Sequence, residues 1–303
     1  MIHKRLTYTI LFLFVSLFSF AQSATERFLT PSDTLNKPRR NAVIISEASL
    51  AGITLIGLNQ LWYVDYERSK FHTINDNKEW LQMDKMGHVF TSYQMGKFGA
   101  DLLNWIGVSE KNQLIYGSTL GFGFLTAVEV LDGFSEEWGF SWGDIIANAS
   151  GTGLYVGQQL LWNEQRILLK FSYHETMYAS QRSDKLGTGF FERVLKDYNG
   201  QTYWLSLNLS SFFKEKHIPK WLNVAFGYGA DGMLSGVSDE NNMDFPSYDR
   251  YRQYYFSLDV DLSKIKTNSR LLRSVFEVFN TIKIPFPTLE INKNRCVFHL
   301  FYI

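Results

Sequence analysis

The pattern of apolar and polar residues divides the chain into two halves. From Ala42 to Trp162 four apolar segments of helix length follow one another, and beyond Trp162 apolar and polar residues alternate. Helix-length apolar runs predict helices, whereas alternation with a period of two predicts strands with one apolar face. The sequence therefore predicts an α+β fold, in which a four-helix apolar unit is followed by an antiparallel β-sheet or partial barrel and packs with it as one body.

The boundaries of these elements follow from the same pattern. The predicted helices are residues 42–64, 88–106, 114–131 and 145–162, and the predicted strands are residues 167–173, 203–210, 222–228, 254–262, 288–291 and 297–302. Six strands are fewer than the roughly eight of the smallest closed membrane barrels, so we expect a sheet or partial barrel. Small-residue pairs in two of the helices, Gly117/Gly121 and Gly153/Gly157, allow close helix packing in lipid or in a soluble core, and the sequence leaves both environments open.

The N-terminus has the pattern of a secretory signal. Basic residues precede an apolar block at residues 10–20, and Ser19-x-Ala21 forms a small-x-small cleavage site. The block is shorter than the roughly 20 residues of a membrane span. The sequence thus predicts four regions: a signal peptide at 1–21, a flexible leader at 22–41, the helical unit at 42–162 and a strand-rich region at 163–303.

Composition narrows the classes of partner. The formal net charge is zero and the sequence has no Gly-rich phosphate loop, so we expect neither nucleic acid nor nucleotide as a ligand. Aromatic residues make up 16% of the chain, as suits a membrane interface. The only cysteine is Cys296, in an apolar run, so we expect a buried thiol, no disulfide and no lipid on an N-terminal cysteine. Together with the signal peptide and the amphipathic strands, the aromatic content predicts a membrane-associated envelope protein, with the outer membrane favoured over the periplasm.

Polar residues interrupt three of the apolar segments at helical spacing. Residues three or four apart share a helix face, and ionisable groups inside apolar segments are costly unless they meet partners, so we predict that these residues converge in one cluster. The residues are Asp84, Lys85 and His88 on the first segment, Glu129 and Asp132 on the second, and Asp144 and Asn148 on the third.

Two chemical interpretations of this cluster remain open. A histidine with several carboxylates can bind a divalent metal or act as acid and base, with His88, Glu129, Asp132 and Asp144 as hypothetical catalytic residues. Asp84, Lys85, Asn148 and Ser92 would then contribute to binding, with Lys85 neutralising an anion. In the structural alternatives, His88 is a hydrogen-bonded core residue, Lys85 pairs with Glu129 or Asp132, and Asp144 belongs to a capping box that begins at Ser141. The sequence leaves metal dependence and cofactor unknown.

The same residues carry a family resemblance. It rests on three motifs in order: Asp84-Lys85-x-x-His88-x-x-x-Ser92, Glu129-x-x-Asp132, and Gly139-Phe140-Ser141-Trp142-x-Asp144-x-x-x-Asn148-x-x-Gly151. They resemble the YfiM-like family of predicted periplasmic lipoproteins, a domain of unknown function, and are more loosely similar to VanZ-like membrane proteins. The resemblance implies an envelope location and the site residues, but no reaction. This chain departs from the family in lacking the anchoring cysteine, in carrying Asn148 in place of an acidic residue, and in its long strand-rich region.

Two functional hypotheses follow. In the first, an exported envelope protein uses the buried polar cluster to bind or organise an envelope component, such as a membrane lipid or an envelope glycan. In the second, a hydrolase or transferase acts on a phosphorylated envelope lipid or cell-wall precursor. The first is favoured because the sequence has no motif of a known reaction class.

Overall fold

The computed structural model describes residues 24–64, 66–213, 215, 217–237, 246, 248–293 and 295–302. The predicted signal peptide lies outside these residues, and so do residues 238–245 of the polar segment between two of the strands. The described residues form mixed helix and sheet, which confirms the predicted fold class.

Four long helices make up the N-terminal half, as the apolar segments predict. They are α1 (Lys37–Leu58), which continues as a π-helical turn (Asn59–Tyr63), α2 (Met83–Trp105), α3 (Leu120–Asp132) and α4 (Trp142–Trp162). Two short turns of helix, Glu110–Asn112 and Gln113–Gly117, lead into α3. Helix α2 is central, because it contacts α3, α4 and the first strands of the sheet.

Close backbone approach holds α2 against its neighbours. A Cβ atom on Gly151 of α4 would lie 2.1 Å from the Val89 carbonyl oxygen, and one on Gly121 of α3 would lie 2.5 Å from the Ser92 carbonyl oxygen. Any larger residue at these two positions would push the helices apart. Gly153 and Gly157 meet no atom within 4 Å, so the second small-residue pair faces away from the described helices.

A left-handed turn fixes where α2 begins. Trp80, Leu81 and Gln82 all have positive φ, between 46° and 69°. This conformation costs roughly 1–2 kcal/mol per residue for side chains other than glycine. The sheet holds the turn in place, since Tyr228 donates its hydroxyl hydrogen to the Leu81 carbonyl and Arg252 donates to Gln82 Oε1. The first turn of α2 is therefore oriented by residues far away in the sequence.

The C-terminal half is a six-stranded antiparallel sheet whose strands lie in chain order. Its strands are β3 (Ile167–Tyr173), β4 (Gln201–Asn208), β5 (Leu222–Asp231), β6 (Tyr251–Val260), β7 (Phe286–Asn292) and β8 (Cys296–Tyr302). All six predicted strands are present. A separate parallel pair, β1 (Thr73–Ile74) and β2 (Phe140–Ser141), links the loops before α2 and α4. The alternation does not predict α5 (Arg270–Phe279), nor short helices at Tyr178–Gln181, Ser183–Leu186, Phe190–Lys196 and Leu209–Phe212.

One face of the sheet exposes large apolar side chains. One row of paired residues carries large apolar side chains, most of them exposed: Leu205, Phe226, Phe256, Leu289 and Phe298. The adjacent row carries small or polar side chains that are buried: Ser206, Ala225, Ser257 and Thr288. The alternation that predicts these strands is thus real, but its apolar face points outward.

The helices and the sheet pack together. Met83 of α2 lies in one buried cluster with Tyr203, Ala230 and Met233 of the sheet half. A second cluster joins Tyr93, Ala100 and Tyr155 of the helices with Leu169 of β3.

Two expectations require correction. The predicted flexible leader contains a helix at residues 24–29, and Arg39 donates to the carbonyls of Thr30 and Trp105, so this segment is anchored on the end of α2. Cys296 is exposed instead of buried, because it opens a strand whose apolar residues face outward.

Candidate functional site

The predicted polar residues come together at one end of the helical unit. The first turns of α2 carry Asp84 and His88, the last turn of α3 carries Glu129, and the first turn of α4 carries Asp144. His88 Nε2 lies 3.9 Å from Asp84 Oδ1, 3.7 Å from Glu129 Oε1 and 3.7 Å from Asp144 Oδ1. We call the residues around this atom the polar cluster: Asp76, Asp84, Lys85, His88, Glu129, Asp144 and Asn148.

A hydrogen bond on the other side of the ring orients His88. Its Nδ1 lies 3.0 Å from Asn148 Oδ1. With Nδ1–H as donor and the amide oxygen as acceptor, the lone pair of Nε2 faces the three carboxylates. At 3.7–3.9 Å none of them lies within hydrogen-bonding distance of that nitrogen.

Lys85 links the carboxylates to one another. Its ammonium donates to Asp76 Oδ2 at 2.7 Å, to Asp144 Oδ2 at 2.8 Å and to Asp84 Oδ2 at 3.1 Å. Pairing of Lys85 with Glu129 or Asp132, one of the structural alternatives, is therefore wrong. The three hydrogens of the ammonium are all engaged, so Lys85 has no donor left with which to neutralise a bound anion.

The remaining carboxylate oxygens are held individually. Glu129 Oε2 accepts from the Ser141 backbone N–H at 3.1 Å, and Asp84 Oδ1 accepts from the Tyr198 hydroxyl at 2.7 Å. Asp144 Oδ1 differs from both, because it is buried and has no hydrogen-bond partner among the described residues. That oxygen faces His88 across a gap.

The start of α4 combines a helix cap with the cluster. Ser141 Oγ accepts from the Asp144 backbone N–H at 3.2 Å, as the capping interpretation predicts. The same hydroxyl donates to Asp76 Oδ1 at 2.6 Å. The Asp144 carboxylate does not complete a reciprocal box, since it is turned toward Lys85 and His88. Ser141 therefore caps α4, but a capping box does not account for the Asp144 carboxylate, which belongs to the cluster.

The motif on α4 is explained by its contacts with α2. Asp144 meets Lys85, Asn148 meets His88, and Gly151 lies against the Val89 backbone. Ser92 continues this contact one turn further on, where its hydroxyl donates to the Asn148 carbonyl at 2.7 Å. Ser92 thus joins the two helices and does not face the carboxylates.

Asp132 lies at the edge of this arrangement. Its Oδ1 accepts from the hydroxyl of Tyr63, in the turn that ends α1. Among the described residues no hydrogen bond or ion pair links Asp132 to His88. The structure therefore brings six of the predicted residues to the cluster (Asp84, Lys85, His88, Glu129, Asp144 and Asn148) and places Asp132 and Ser92 beside it.

The charges of the cluster perturb one another. Burial opposes the charged form of His88, but Asp84, Asp144 and Glu129 outweigh it and raise the pKa of His88 above its ordinary value. Burial and the charge of Asp84 raise the pKa of Asp144 to about 7, although His88 and Lys85 act in the opposite direction. For Asp84, His88 and Lys85 outweigh burial and lower the pKa. Four carboxylates face at most two cationic side chains, so the cluster has an excess of negative charge when all four are ionised.

Sequence reasoning missed three residues of the site. Asp76 lies in the loop before α2, Tyr63 ends α1 and Tyr198 lies before β4. None of them shares a helical spacing with the motif residues. Asp76 and Asn77 in a polar loop just ahead of the Asp84 motif are the one local signal that could have pointed to the loop.

Comparison with known proteins identifies a family for this segment. Residues 74–158 match the family described as "Predicted periplasmic lipoprotein (DUF2279)". The match confirms the resemblance and covers all seven residues of the polar cluster, but Tyr63, Tyr198 and the sheet lie outside it. The family description supports a cell-envelope location and assigns no ligand or reaction. No curated protein and no solved structure matches the chain.

Proposed function

We propose that this chain is an exported, membrane-associated cell-envelope protein whose polar cluster binds or organises an envelope component. One observation carries the proposal: the described residues expose many large apolar side chains on the helices and on the sheet, and they also bury ionisable groups. A soluble protein rarely exposes apolar surface on this scale.

Helix α1 is the clearest case of apolar exposure. Five of its aliphatic side chains are 56–66% exposed, namely Ile44, Ile45, Leu50, Ile53 and Ile56. The segments Lys37–Leu58 and Glu110–Asp132 are long and apolar enough to cross a membrane, and only 6% of the apolar window in the first is buried. A core helix of a soluble protein would be mostly buried, so lipid is the environment that suits α1.

The sheet half supports the same environment. Its outward face carries exposed aromatic and aliphatic side chains, and its inward face carries small and polar side chains together with the buried rings of Trp204 and Tyr255. An apolar outward face is found in outer-membrane strands. Helix α5 adds an exposed apolar face formed by Leu271, Val275 and Val278, beside charged residues on its other side. Such a helix suits the plane of a membrane interface. These features favour the outer membrane over the periplasm.

The polar cluster favours binding over catalysis. The Asp84 and His88 side chains are 28% and 16% exposed, so a ligand can reach the cluster from their side. Carboxylates accept hydrogen bonds from hydroxyl groups, which suits a glycan or the headgroup of a lipid. A bare phosphate would meet excess negative charge and a lysine whose donors are already engaged. For the metal-free cluster, the hydrolase or transferase alternative, which needs a phosphorylated substrate, is therefore the weaker one.

The test combines fractionation with analysis of bound molecules. We expect the chain in the outer-membrane fraction and released only by detergent, with a lipid or glycan that co-purifies and is detected by mass spectrometry. His88→Ala should lose that molecule. His299→Ala is the matched control, because it removes another imidazole beside a carboxylate, Glu290 at 2.8 Å, outside the cluster.

Recovery in the soluble periplasmic fraction would contradict the membrane part of the proposal. A purified protein without any bound envelope molecule, or with the same molecule in His88→Ala, would contradict the binding part.

A further inference from the structure

We infer that Asp84, His88 and Asp144, with Glu129 as a fourth ligand, bind one divalent transition-metal ion of the Zn²⁺ class. The inference rests on the proposed function and deepens it, because it names a metal ion that the polar cluster binds before any envelope component. The ligand atoms are His88 Nε2 and one oxygen of each carboxylate. Those of Asp84, His88 and Asp144 lie within 4.8 Å of one another.

The spacing of these atoms fits an ion between them. His88 Nε2 is 3.7–3.9 Å from the three carboxylate oxygens. With Zn–N and Zn–O bonds of about 2.0–2.2 Å, two ligand atoms of a tetrahedral ion are roughly 3.3–3.5 Å apart. An inward movement of a few tenths of an ångström would therefore bring each of these oxygens to the required distance from His88 Nε2.

A proton cannot replace the ion at this spacing. A hydrogen on Nε2 could satisfy one oxygen at about 2.6–3.2 Å, whereas all three oxygens stand further away. An ion at the centre contacts all of them at once. The observed geometry thus suits a shared cation better than a hydrogen bond.

An unpartnered atom gives independent support. Asp144 is 3% exposed, and its Oδ1 has no hydrogen-bond partner among the described residues while its Oδ2 is held by Lys85. A buried carboxylate oxygen without a donor is costly. This oxygen is aimed at His88 Nε2, where the ion would lie.

The surrounding contacts resemble the outer shell of a metal site. Asn148 orients the His88 ring through Nδ1, Lys85 holds Asp84 and Asp144, and the Ser141 N–H holds Glu129. Outer contacts of this kind fix the orientation of metal ligands. One imidazole with carboxylates favours Zn²⁺ or a neighbouring transition metal over Ca²⁺ or Mg²⁺, which prefer oxygen ligands alone.

The experiment uses the full chain, purified in detergent, stripped with a chelator and titrated with Zn²⁺ or Co²⁺. We expect one equivalent of Zn²⁺ and, with Co²⁺, the visible absorption bands of a four-coordinate ion. His88→Ala and Asp144→Asn should lower the affinity at least tenfold and abolish the Co²⁺ bands. His299→Ala should bind as the wild type does.

Two variants guard against a folding failure, because Asp144→Asn keeps the side-chain shape and decides the result if His88→Ala does not fold. Failure of wild-type protein to bind the ion, or equal binding by the wild type and the cluster variants, would overturn the inference. Its failure is distinguishable from that of the proposed function. If the chain fractionates with the membrane but binds no metal, only the metal site is contradicted. If the chain is soluble and binds Zn²⁺, only the membrane role is contradicted.

Discussion

The molecule buries charged groups in two places, and they are built differently. Inside the sheet, Lys170, Lys283 and Asp259 are almost completely inaccessible. Asp259 Oδ2 accepts from Lys170 at 2.9 Å and from Ser206 at 2.7 Å, and Lys283 donates to the carbonyls of Leu258 and Ile284. We call these three charged residues the sheet network.

The polar cluster contrasts with this network in spacing and in charge. The sheet network has two cations for one carboxylate: Lys170 pairs with Asp259 at 2.9 Å, and Lys283, 3.8 Å from Asp259 Oδ1, donates to two backbone carbonyls. In the polar cluster carboxylates outnumber cations and surround His88 Nε2 at 3.7–3.9 Å without a hydrogen bond to it. A buried network in which every charged group has hydrogen-bond partners fixes structure. One with a gap at its centre and excess charge is suited to a ligand. The comparison separates a structural charge from a candidate binding charge without reference to any relative.

The largest expected effect is in the sheet network. Asp259→Ala leaves two buried ammonium groups without their carboxylate and should lower the free energy of unfolding by about 3–5 kcal/mol. Thermal or denaturant unfolding in detergent measures it. Asp184→Ala, at a carboxylate that is 65% exposed, is the control and should be nearly neutral. A loss below about 1 kcal/mol for Asp259→Ala would remove the contrast between the two regions.

Metal removal tests the polar cluster through the same quantity, the free energy of unfolding. Zn²⁺ at a hundred to a thousand times its dissociation constant should stabilise the wild type by about 3–4 kcal/mol relative to chelator-treated protein. Asp144→Asn should lose most of this gain, because it removes one charged ligand. The measurement is the unfolding free energy with and without metal. Equal gains in both proteins would indicate that Zn²⁺ binds elsewhere.

The pH dependence of the metal-free protein should follow Asp144. Its pKa is raised from 3.8 to about 7, so the folded state binds more protons than the unfolded state between these values. The associated stability is fully present below pH 3.8 and is lost as the pH rises through 7. Lys85, His88, Asp84 and Glu129 face this group. The shift of Asp144 alone corresponds to about 4 kcal/mol, and because the pKa of Asp84 shifts in the opposite direction we expect a smaller net loss.

Asp144→Asn provides the matched comparison for this titration. Its unfolding free energy, measured from pH 4 to pH 8, should decline less than that of the wild type. An equal decline in both proteins would assign the titration to other groups.

The smallest expected effect compares two serine caps. Ser141 caps α4 inside the polar cluster, and Ser269 caps α5 outside it. Loss of a cap costs about 1 kcal/mol. Both hydroxyls also donate to a carboxylate: Ser141 to Asp76 at 2.6 Å and Ser269 to Glu26 at 3.3 Å. Ser141→Ala should cost more than Ser269→Ala, because its bond is shorter and the Asp76 side chain is less exposed. Unfolding free energies of the two variants decide this, and equal losses would show that the bond to Asp76 adds no more than the bond to Glu26.

Much of the fold and part of the site could be predicted from local sequence. Four helices and six strands follow from periodicity. The i, i+3 and i, i+4 spacing of polar residues within each helix predicted that His88, Glu129 and Asp144 lie close together, as they do. Helix α5 was missed because ten amphipathic residues between two strands give only a short helical signal. Asp76 and Tyr198 were missed because loop positions and contacts across 114 residues have no periodic signature.

The sequence by itself determined which residues alternate and which ionisable groups interrupt apolar segments, since both are properties of neighbours along the chain. Only the tertiary structure decided which way the apolar faces point, so that Cys296 and the aromatic rows of the sheet lie outside. An apolar residue indicates removal from water, which a protein core or a lipid can provide equally. The structure also decided that Lys85 joins three carboxylates and that His88 stands apart from three, because these distances depend on how helices from distant parts of the chain pack.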